Sequence, residues 1–240
     1  MKFSVLISVY KKDNPLFLKK ALDSIYFSQS LKPDEVVLIV DGPIGLDLQK
    51  IIESYNNKLP KKILKVFWLN ENKGLGYALN FGLINCKNDI IARMDSDDIS
   101  KPNRFKEQLN FLQSNPNIDI VGSLLEEFNE EIGDLGKKRL VPETHKAIFK
   151  FAKLRSPMNH PTVMFKKNSV LSSGNYKTDL LFWEDYSLWI DMLQNGKKFH
   201  NLQKTLLYFR VDNLNMIKKR RGLQYAINEL KFATRAFKIG

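Results

Sequence analysis

The sequence of 240 residues contains a single cysteine, Cys86, which excludes a disulfide framework and any cysteine-based zinc cluster. No apolar run approaches the roughly eighteen residues that a membrane-spanning helix requires. Residues 1–10 include a short apolar run without a small-residue cleavage site, so we expect a strand there and no signal peptide. With 43% hydrophobic residues the chain can bury a core without disulfides, and one unpaired thiol fits a cytoplasmic protein.

Acidic residues are fewer than basic ones, and 38 Lys and Arg against 26 Asp and Glu give a net charge of +12. The excess is concentrated beyond residue 196, where eleven Lys and Arg accompany only Asp212 and Glu229. Such a tail indicates an anionic partner, which is phosphate, a membrane surface or nucleic acid. Residues 223–237 combine an apolar stripe with a basic one, which predicts an amphipathic C-terminal helix. That helix packs on the domain, lies at a membrane surface, or does both.

The first 125 residues alternate four times between strand-like and helix-like patterns. Residues 35–40 (Glu-Val-Val-Leu-Ile-Val) are continuously apolar after the glutamate, which is typical of a strand covered on both faces. The alternation predicts an α/β fold with a Rossmann-like, doubly wound and mostly parallel sheet. The expected strands are 3–9, 35–40, 63–69, 89–94 and 118–122, and the expected helices begin near residues 14, 46, 74 and 102.

The pattern weakens after Gly122, where we place a boundary. Residues 126–142 indicate an insertion or a hairpin. Beyond them we expect a helix at 143–154, a short strand at 162–165 and a helix at 185–194. The chain is therefore divided into an α/β half at 1–122, a smaller subdomain at 123–215 and a basic amphipathic helix at 216–240.

Ligands of open parallel sheets bind beyond the carboxyl ends of the strands. In this sequence those ends carry Ser8 and Tyr10, Asp41, Lys73 and the acidic run Asp95-Ser96-Asp97-Asp98. Carboxylates this close repel one another unless they share a cation, and Mg²⁺ or Mn²⁺ binds carboxylates together with phosphate oxygens. Two simpler interpretations stay open. Asp98 and Ser100 would cap the helix near residue 102, and Asp41 would only stabilise a turn.

Two acidic residues, Glu184 and Asp185, follow an aromatic pair at a predicted helix start. An apolar wall raises the pKa of a carboxyl group toward the range of a general base, although acids in a first helical turn also favour the helix dipole. His160 precedes a proline, so a structural role and a ligand role are both open.

Six motifs in this order resemble family-2 glycosyltransferases with the GT-A fold. They are Ser-Val-Leu-Ile-Ser-Val-Tyr (4–10), Asp-Gly (41–42), Asn-Lys-Gly-Leu-Gly-Tyr-Ala-Leu-Asn (72–80), Ala-Arg-Met-Asp-Ser-Asp-Asp-Ile-Ser (92–100), His-Pro-Thr-Val-Met-Phe (160–165) and Trp-Glu-Asp-Tyr-Ser-Leu-Trp (183–189). The similarity runs from Phe3 to about Tyr225. It is greatest to bacterial exopolysaccharide transferases of the amylovoran and colanic-acid type, which also carry a late Lys-Arg-Arg-Gly like residues 219–222.

The resemblance implies an inverting transfer of a sugar from a nucleoside diphosphate donor, preferably a UDP-sugar, to a lipid-linked or oligosaccharide acceptor. It also implies Mn²⁺ or Mg²⁺ as the cofactor. The residues that match the family's motifs have these implied roles: Ser8, Tyr10, Asp41, Lys73 and Asp95 toward the nucleotide; Asp95 and Asp97 toward the metal; Asp185 as catalytic base with Glu184 beside it; His160, Arg210, Arg220 and Arg221 toward the acceptor or phosphate.

Two positions depart from the family's pattern. Leu79 stands where many members have an arginine before the asparagine at Asn80, and Asp212 follows the late Tyr-x-Arg where many have a histidine. A histidine metal ligand is therefore not expected there. The basic tail fits a protein that is cytoplasmic and peripheral at the inner face of the cell membrane.

Three other functions compete with this assignment. A catalytically silent sugar-nucleotide-binding homologue would lack the acids at 95, 97 and 185, which are all present. A nucleic-acid-binding protein would line its cleft with basic and aromatic residues, whereas acids line this one, so we expect no nucleic-acid partner. A nucleotide-sugar pyrophosphorylase would carry a glycine-rich basic loop after the first strand, and that loop is absent.

Overall fold

The computed structural model describes residues 1–180 and 182–211, over which the chain forms one nine-stranded sheet and seven α-helices. The strands are β1 (Phe3–Val9), β2 (Glu35–Val40), β3 (Leu64–Trp68), β4 (Ile90–Met94), β5 (Ile99–Ser100), β6 (Ile120–Phe128), β7 (Lys137–Arg139), β8 (Met164–Lys166) and β9 (Phe199–Arg210). The helices are α1 (Pro15–Ile25), α2 (Leu46–Lys58), α3 (Leu75–Asn85), α4 (Arg104–Ser114), α5 (His145–Phe151), α6 (Lys167–Leu171) and α7 (Glu184–Gln194).

The strands are arranged in the order β3-β2-β1-β4-β8-β6-β9-β5, and β7 pairs with β6 outside this path. Strands β1 to β4 are mutually parallel, as the doubly wound pattern predicts. The short strand β8 lies antiparallel between β4 and β6, so it joins the second half of the chain to the same sheet. The expected α/β fold with a mostly parallel sheet is therefore confirmed.

Local sequence explains where the first elements begin. All six residues of β2 are buried, which fits its apolar composition. Asn14 caps α1, because its side chain accepts a hydrogen bond from Leu16 N at 2.8 Å, and Pro15 occupies the first turn. These bounds agree with the sequence-based expectation, as do those of the next strands and helices to within about three residues.

Two hydrophobic cores fill the two faces of the sheet. Helices α1, α2 and α4 cover one face through buried residues such as Leu22, Ile52 and Phe105. Helices α3, α5, α6 and α7 cover the other through residues such as Leu83 and Trp189. Among the described residues, no helix is both long enough and apolar enough to cross a bilayer.

The second half of the chain differs from its expected pattern in two respects. Gly122, our expected boundary, lies inside β6, which continues to Phe128 as part of the single sheet. The long strand β9 was missed, because Asn201, Gln203 and Lys204 interrupt its apolar pattern. The hairpin expected at 126–142 is present as the antiparallel pair β6–β7. The helix expected at 223–237 lies outside the described residues, and the proposed domain division stays a prediction.

One glycine is required where two loops meet at the carboxyl edge of the sheet. Gly42 has a φ of +84°, and a Cβ atom built there would lie 2.4 Å from the backbone nitrogen of Asn72. Both features exclude a side chain, since an L-residue is strained at this φ and backbone atoms cannot approach that closely. Gly45 contrasts with it, because its φ is −74° and an added Cβ would meet no atom within 4 Å.

We predict that Gly42→Ala lowers the free energy of unfolding by about 1–3 kcal/mol, because the substitution adds strain and separates the two loops. Chemical denaturation followed by circular dichroism measures this change. The matched control, Gly45→Ala, is expected to leave the stability nearly unchanged. Equal stability of the two variants would show that the close approach of the loops contributes little.

Candidate functional site

A cluster of three carboxyl groups lies at the end of β4. Asp95, Asp97 and Asp98 follow this strand directly, and each offers an oxygen within 4.8 Å of the others. Asp98 is buried, Asp95 is half-buried and Asp97 reaches solvent. The acidic run that the sequence places at this strand end is therefore gathered at one point.

The negative charges of the three carboxylates in this cluster repel one another. Although Asp97 reaches solvent, protein atoms enclose its other sides. This enclosure and the charges of Asp95 and Asp13 raise its pKa to about 7. Burial and the charges of Asp97 and Asp95 also raise the pKa of Asp98 well above its usual value. Such a cluster needs bound protons or a cation to relieve the repulsion.

Asp98 has one oxygen that is free for a ligand. Its Oδ1 atom accepts a hydrogen bond from Arg210 N at 2.9 Å, whereas its buried Oδ2 has no hydrogen-bond partner among the described residues. A buried oxygen without a partner, next to two more carboxylates, fits a hard divalent cation. The capping interpretation was wrong for Asp98, because α4 begins at Arg104 with Asn103 as its N-cap residue.

Arg93 is a buried cation that the sequence reasoning did not single out. It lies on β4, is 2% exposed, and its guanidinium contacts both carboxylate oxygens of Asp95. Its backbone carbonyl accepts a hydrogen bond from the fully buried Arg104 at 2.6 Å. The available signal was a lone arginine inside an otherwise apolar strand, where an unpaired charge would be costly.

A fourth carboxylate, Asp13, was also missed. It lies in the loop after β1, where its Oδ2 accepts hydrogen bonds from Tyr10 N at 3.0 Å and from Ser96 Oγ at 2.8 Å. The loop after β1 is thereby attached to the acidic run. Ser8 and Tyr10, predicted to lie near the nucleotide, are half-buried at this same edge.

Asp41 organises the glycine-rich loop that follows β3. Its carboxylate accepts hydrogen bonds from Lys73 N at 2.8 Å, from Gly74 N at 3.0 Å and from the side chain of Asn72 at 3.0 Å. The carboxylate therefore has a structural role in the loop. The Lys73 side chain is exposed, with its Nζ atom 4.9 Å from the centre of the Tyr77 ring.

The charge of Arg93 acts on both acidic residues at the start of α7, Glu184 and Asp185. Burial and the neighbouring Asp185 charge raise the pKa of Glu184 to about 7. Burial also raises the pKa of Asp185, while the charge of Arg93 lowers it and that of Asp95 raises it. Because the charges of Arg93 and Asp95 both act on Asp185, residues ninety positions apart in the sequence lie near one another, and we call the region between them the crevice.

His160 lies in a 3-10 turn (His160–Thr162), where it is 9% exposed and its Nε2 is 3.1 Å from the hydroxyl of Tyr176. Burial and the charge of Arg93 hold its pKa well below the usual value, so the ring is neutral. The side chain of Asn80 exchanges two hydrogen bonds with the backbone of Tyr176. These contacts pack His160 against Tyr176 in the protein interior, and its role toward the acceptor stays a prediction.

Arg210, expected to contact acceptor or phosphate, is held against the acidic run. Its guanidinium lies 3.8 Å from the ring centre of Phe17 and 4.3 Å from that of Phe128. It donates to the carbonyl of Asp97 at 3.1 Å and to that of Asn129 at 2.6 Å. Its buried Nη2 has no hydrogen-bond partner among the described residues. Arg220 and Arg221 lie outside the described residues.

Comparison with known proteins was made on sequence and on structure. The sequence model described as Glycosyl transferase family 2 matches residues 4–174. The UDP-Gal:alpha-D-GlcNAc-diphosphoundecaprenol beta-1,3-galactosyltransferase of Escherichia coli is 44% identical over 230 residues, 96% of this chain and 81% of that protein. The amylovoran biosynthesis glycosyltransferase AmsE of Erwinia amylovora is 39% identical over 231 residues, 95% of this chain and 83% of AmsE.

Solved structures share the architecture at low sequence identity. The mannosyltransferase PcManGT of Pyrobaculum calidifontis, in complex with GDP-Man and Mn²⁺, gives a TM-score of 0.75 at 16% identity over all of this chain and 65% of its own. S. aureus TarS 1–349 with UDP-GlcNAc gives 0.69 at 21% identity, covering 94% of this chain and 61% of that chain. The chain therefore belongs to glycosyltransferase family 2, has the GT-A fold, and is a glycosyltransferase.

Proposed function

We propose that this enzyme is an inverting, metal-dependent transferase that moves a sugar from a UDP-sugar to a lipid-linked or oligosaccharide acceptor in polysaccharide synthesis. One observation supports the proposal: the three carboxyl groups after β4 lie together, and the charges of Arg93 and Asp95 act on Asp185 of α7. The substrates named for the Escherichia coli relative, and the UDP-GlcNAc bound to S. aureus TarS, support this donor and acceptor class.

The donor side of the crevice is formed by the strand ends. Asp95 and Asp97 would hold Mn²⁺ or Mg²⁺, and a carboxylate oxygen of Asp98 lies within 4.8 Å of an oxygen of each of them. When bound, the ion acts as a Lewis acid that offsets the charge of the leaving diphosphate. The nucleoside would lie along the same edge, beside Ser8, Tyr10, Asp41 and Lys73, since these residues end or follow strands β1 to β3.

Asp185 is the proposed base. It takes the proton of the acceptor hydroxyl while that oxygen bonds to the anomeric carbon, and the bond from this carbon to the diphosphate oxygen breaks on the opposite face. General-base assistance of this kind contributes about 10²–10⁴ in rate. Glu184 is buried beside it with one oxygen that lacks a hydrogen-bond partner among the described residues, and this oxygen would accept a hydrogen bond from the acceptor.

Arg93 is the positioning residue between the two sides. Its contact with both oxygens of Asp95 fixes that carboxylate, and its charge favours the ionised form of Asp185. The role proposed for Arg210 is indirect, because its hydrogen bond to the carbonyl of Asp97 orients the acidic run. Contacts of Arg220 and Arg221 with the acceptor diphosphate, and a peripheral position at the membrane, remain part of this proposal.

Asp97→Asn is expected to reduce the Mn²⁺-dependent affinity for UDP at least tenfold, because a neutral amide replaces a charged ligand. Isothermal titration with and without Mn²⁺ measures this affinity. The control is Glu53→Gln, an exposed acid on α2 that should bind UDP like the unmodified enzyme. An Asp97→Asn enzyme with undiminished Mn²⁺-dependent affinity would contradict the metal assignment.

Asp185→Asn is expected to lower kcat by about 10²–10⁴ while the dissociation constant for UDP-sugar changes less than threefold, because only the base is lost. A radiolabelled transfer assay gives kcat, and titration gives the binding constant. Asp179→Asn, an exposed acid six residues away, is the matched control. Normal turnover by the Asp185→Asn enzyme would remove the base assignment, whereas equal loss of donor binding would indicate misfolding.

The value of kcat is expected to fall with decreasing pH, and to begin falling at a higher pH than an ordinary aspartate base would allow. Burial raises the pKa of Asp185, and its protonated form cannot take the acceptor proton. An ordinary aspartate, with a pKa of about 3.9, would remain active to lower pH. Because burial and neighbouring charges raise the pKa of Asp97 to about 7 when no metal is bound, kcat is measured at saturating donor and Mn²⁺. A kcat that falls only near about pH 3.9, as for an ordinary aspartate, would exclude a base with a raised pKa.

A further inference from the structure

A second group of basic residues precedes the basic C-terminal segment in the sequence, within a stretch that contains no acid. From Thr144 to Thr178 the sequence has seven Lys and Arg and neither Asp nor Glu. Lys166, Lys167 and Lys177 in this stretch donate to backbone carbonyls or to an acid. The other four cations are exposed and have no acidic partner among the described residues. They are Lys146, Lys150, Lys153 and Arg155, on α5 and the turn that follows it.

The same surface carries an exposed apolar side chain. Leu154 is 85% exposed between Lys153 and Arg155. The guanidinium of Arg155 lies 4.5 Å from the ring centre of Phe151, and Lys153 Nζ lies 5.7 Å from that of Phe149. A leucine this exposed costs free energy in water, whereas cations around an apolar residue suit the boundary between lipid headgroups and acyl chains. We call Lys146, Lys150, Lys153, Leu154 and Arg155 the α5 surface.

The α5 surface is fixed relative to the proposed base. Ile148 and Ala152 on the inner side of this segment are fully buried in the core. The hydroxyl of Tyr186 donates a hydrogen bond to the carbonyl of Ala152 at 2.7 Å, and Tyr186 follows Asp185 directly on α7. The end of α5 therefore lies against the first turn of the helix that carries Glu184 and Asp185.

We propose that the α5 surface docks on an anionic lipid bilayer and sets the side from which a lipid-linked acceptor reaches the crevice. The lipid-linked acceptor rests on the proposed function, whereas the docking itself requires only the charges and Leu154. A bilayer is favoured over a nucleic acid because an exposed leucine amid the cations gains nothing from a phosphate backbone, whereas it gains from acyl chains. The expected geometry is peripheral, with Leu154 at the headgroup boundary.

Vesicle sedimentation tests the docking with the full chain. The probes are vesicles of phosphatidylcholine alone and of phosphatidylcholine mixed with phosphatidylglycerol. Each cation near an anionic surface strengthens binding about fivefold (about 1 kcal/mol). The triple variant Lys146→Gln, Lys150→Gln, Lys153→Gln should therefore bind anionic vesicles on the order of 100-fold more weakly than the unmodified chain. Leu154→Ser alone should weaken it several-fold with no change in charge.

The control carries the same change in net charge elsewhere. Lys20→Gln, Lys58→Gln and Lys61→Gln together remove three exposed lysines on or beside α1 and α2, which cover the opposite face of the sheet. This control should bind anionic vesicles like the unmodified chain. Equal loss in both variants would show a dependence on net charge alone, and unchanged binding by the α5 variant would overturn the proposal. Loss confined to a variant neutralised at residues 218–221 would assign the contact to the tail instead.

Transfer assays separate this inference from the proposed function. The α5 variant should transfer sugar to a short, water-soluble acceptor at the rate of the unmodified enzyme, because none of its substituted residues lies in the crevice. Transfer to an acceptor embedded in anionic vesicles should fall together with vesicle binding. If the unmodified enzyme transferred sugar to neither acceptor, the proposed function would be wrong. The sedimentation experiment would still show whether the α5 surface binds anionic bilayers.

Discussion

The repulsion between carboxylates in one crevice is the constraint on which the rest of the structure depends. Asp95, Asp97 and Asp98 follow a single strand within 4.8 Å of one another, and Asp13 adds a fourth charge. Burial makes this arrangement more costly, because the low dielectric of the interior strengthens every like-charge contact. The buried guanidinium of Arg93 is the fixed countercharge, and it occupies only one of these carboxylates. The remaining negative charge is what the proposed divalent ion would neutralise.

The surrounding fold holds this arrangement through polar contacts that are themselves buried. Arg104 donates to the carbonyl of Arg93, and its Nε atom donates to Gln108 at 3.1 Å. Gln108 in turn donates to the carbonyls of Val121 and Thr162, so α4 bridges β4 to the second half of the sheet. Such networks are costly unless every member is satisfied, and they then fix one geometry. The position of β4 and of the acidic residues after it therefore depends on the buried side chains of Arg104 and Gln108.

The sequence was sufficient to predict the strands and helices of the first half of the chain and the acidic residues at its strand ends. The carboxyl ends of parallel strands meet at one edge of the sheet, and the acids follow a strand directly. The sequence was insufficient where function depends on a partner that is distant in the chain. In the sequence Arg93 is simply part of a buried strand, and only the structure shows its contact with Asp95. Likewise, only the structure shows that Asp13 accepts a hydrogen bond from Ser96 and so lies beside the acidic run. β9 was missed because polar residues interrupt its apolar pattern, and the sequence does not show that distant groups satisfy them, as when Asn201 donates a hydrogen bond to the carbonyl of Pro142.

The late position of β9 has a consequence for how the enzyme is made. The hydrogen bond from Arg210 N to Asp98 joins residues 112 positions apart, and β4 has no neighbour on its second edge until β8 is synthesised. At 5–20 residues per second, a ribosome needs on the order of ten seconds to supply Arg210 after Asp98 has been made. The nascent first half holds an open sheet edge until β8 is made, and the acids after β4 lack the hydrogen bond from Arg210 until β9 is made. The geometry of the proposed metal site is therefore completed only after residue 210 has been synthesised, and a chain that terminates before this residue lacks it.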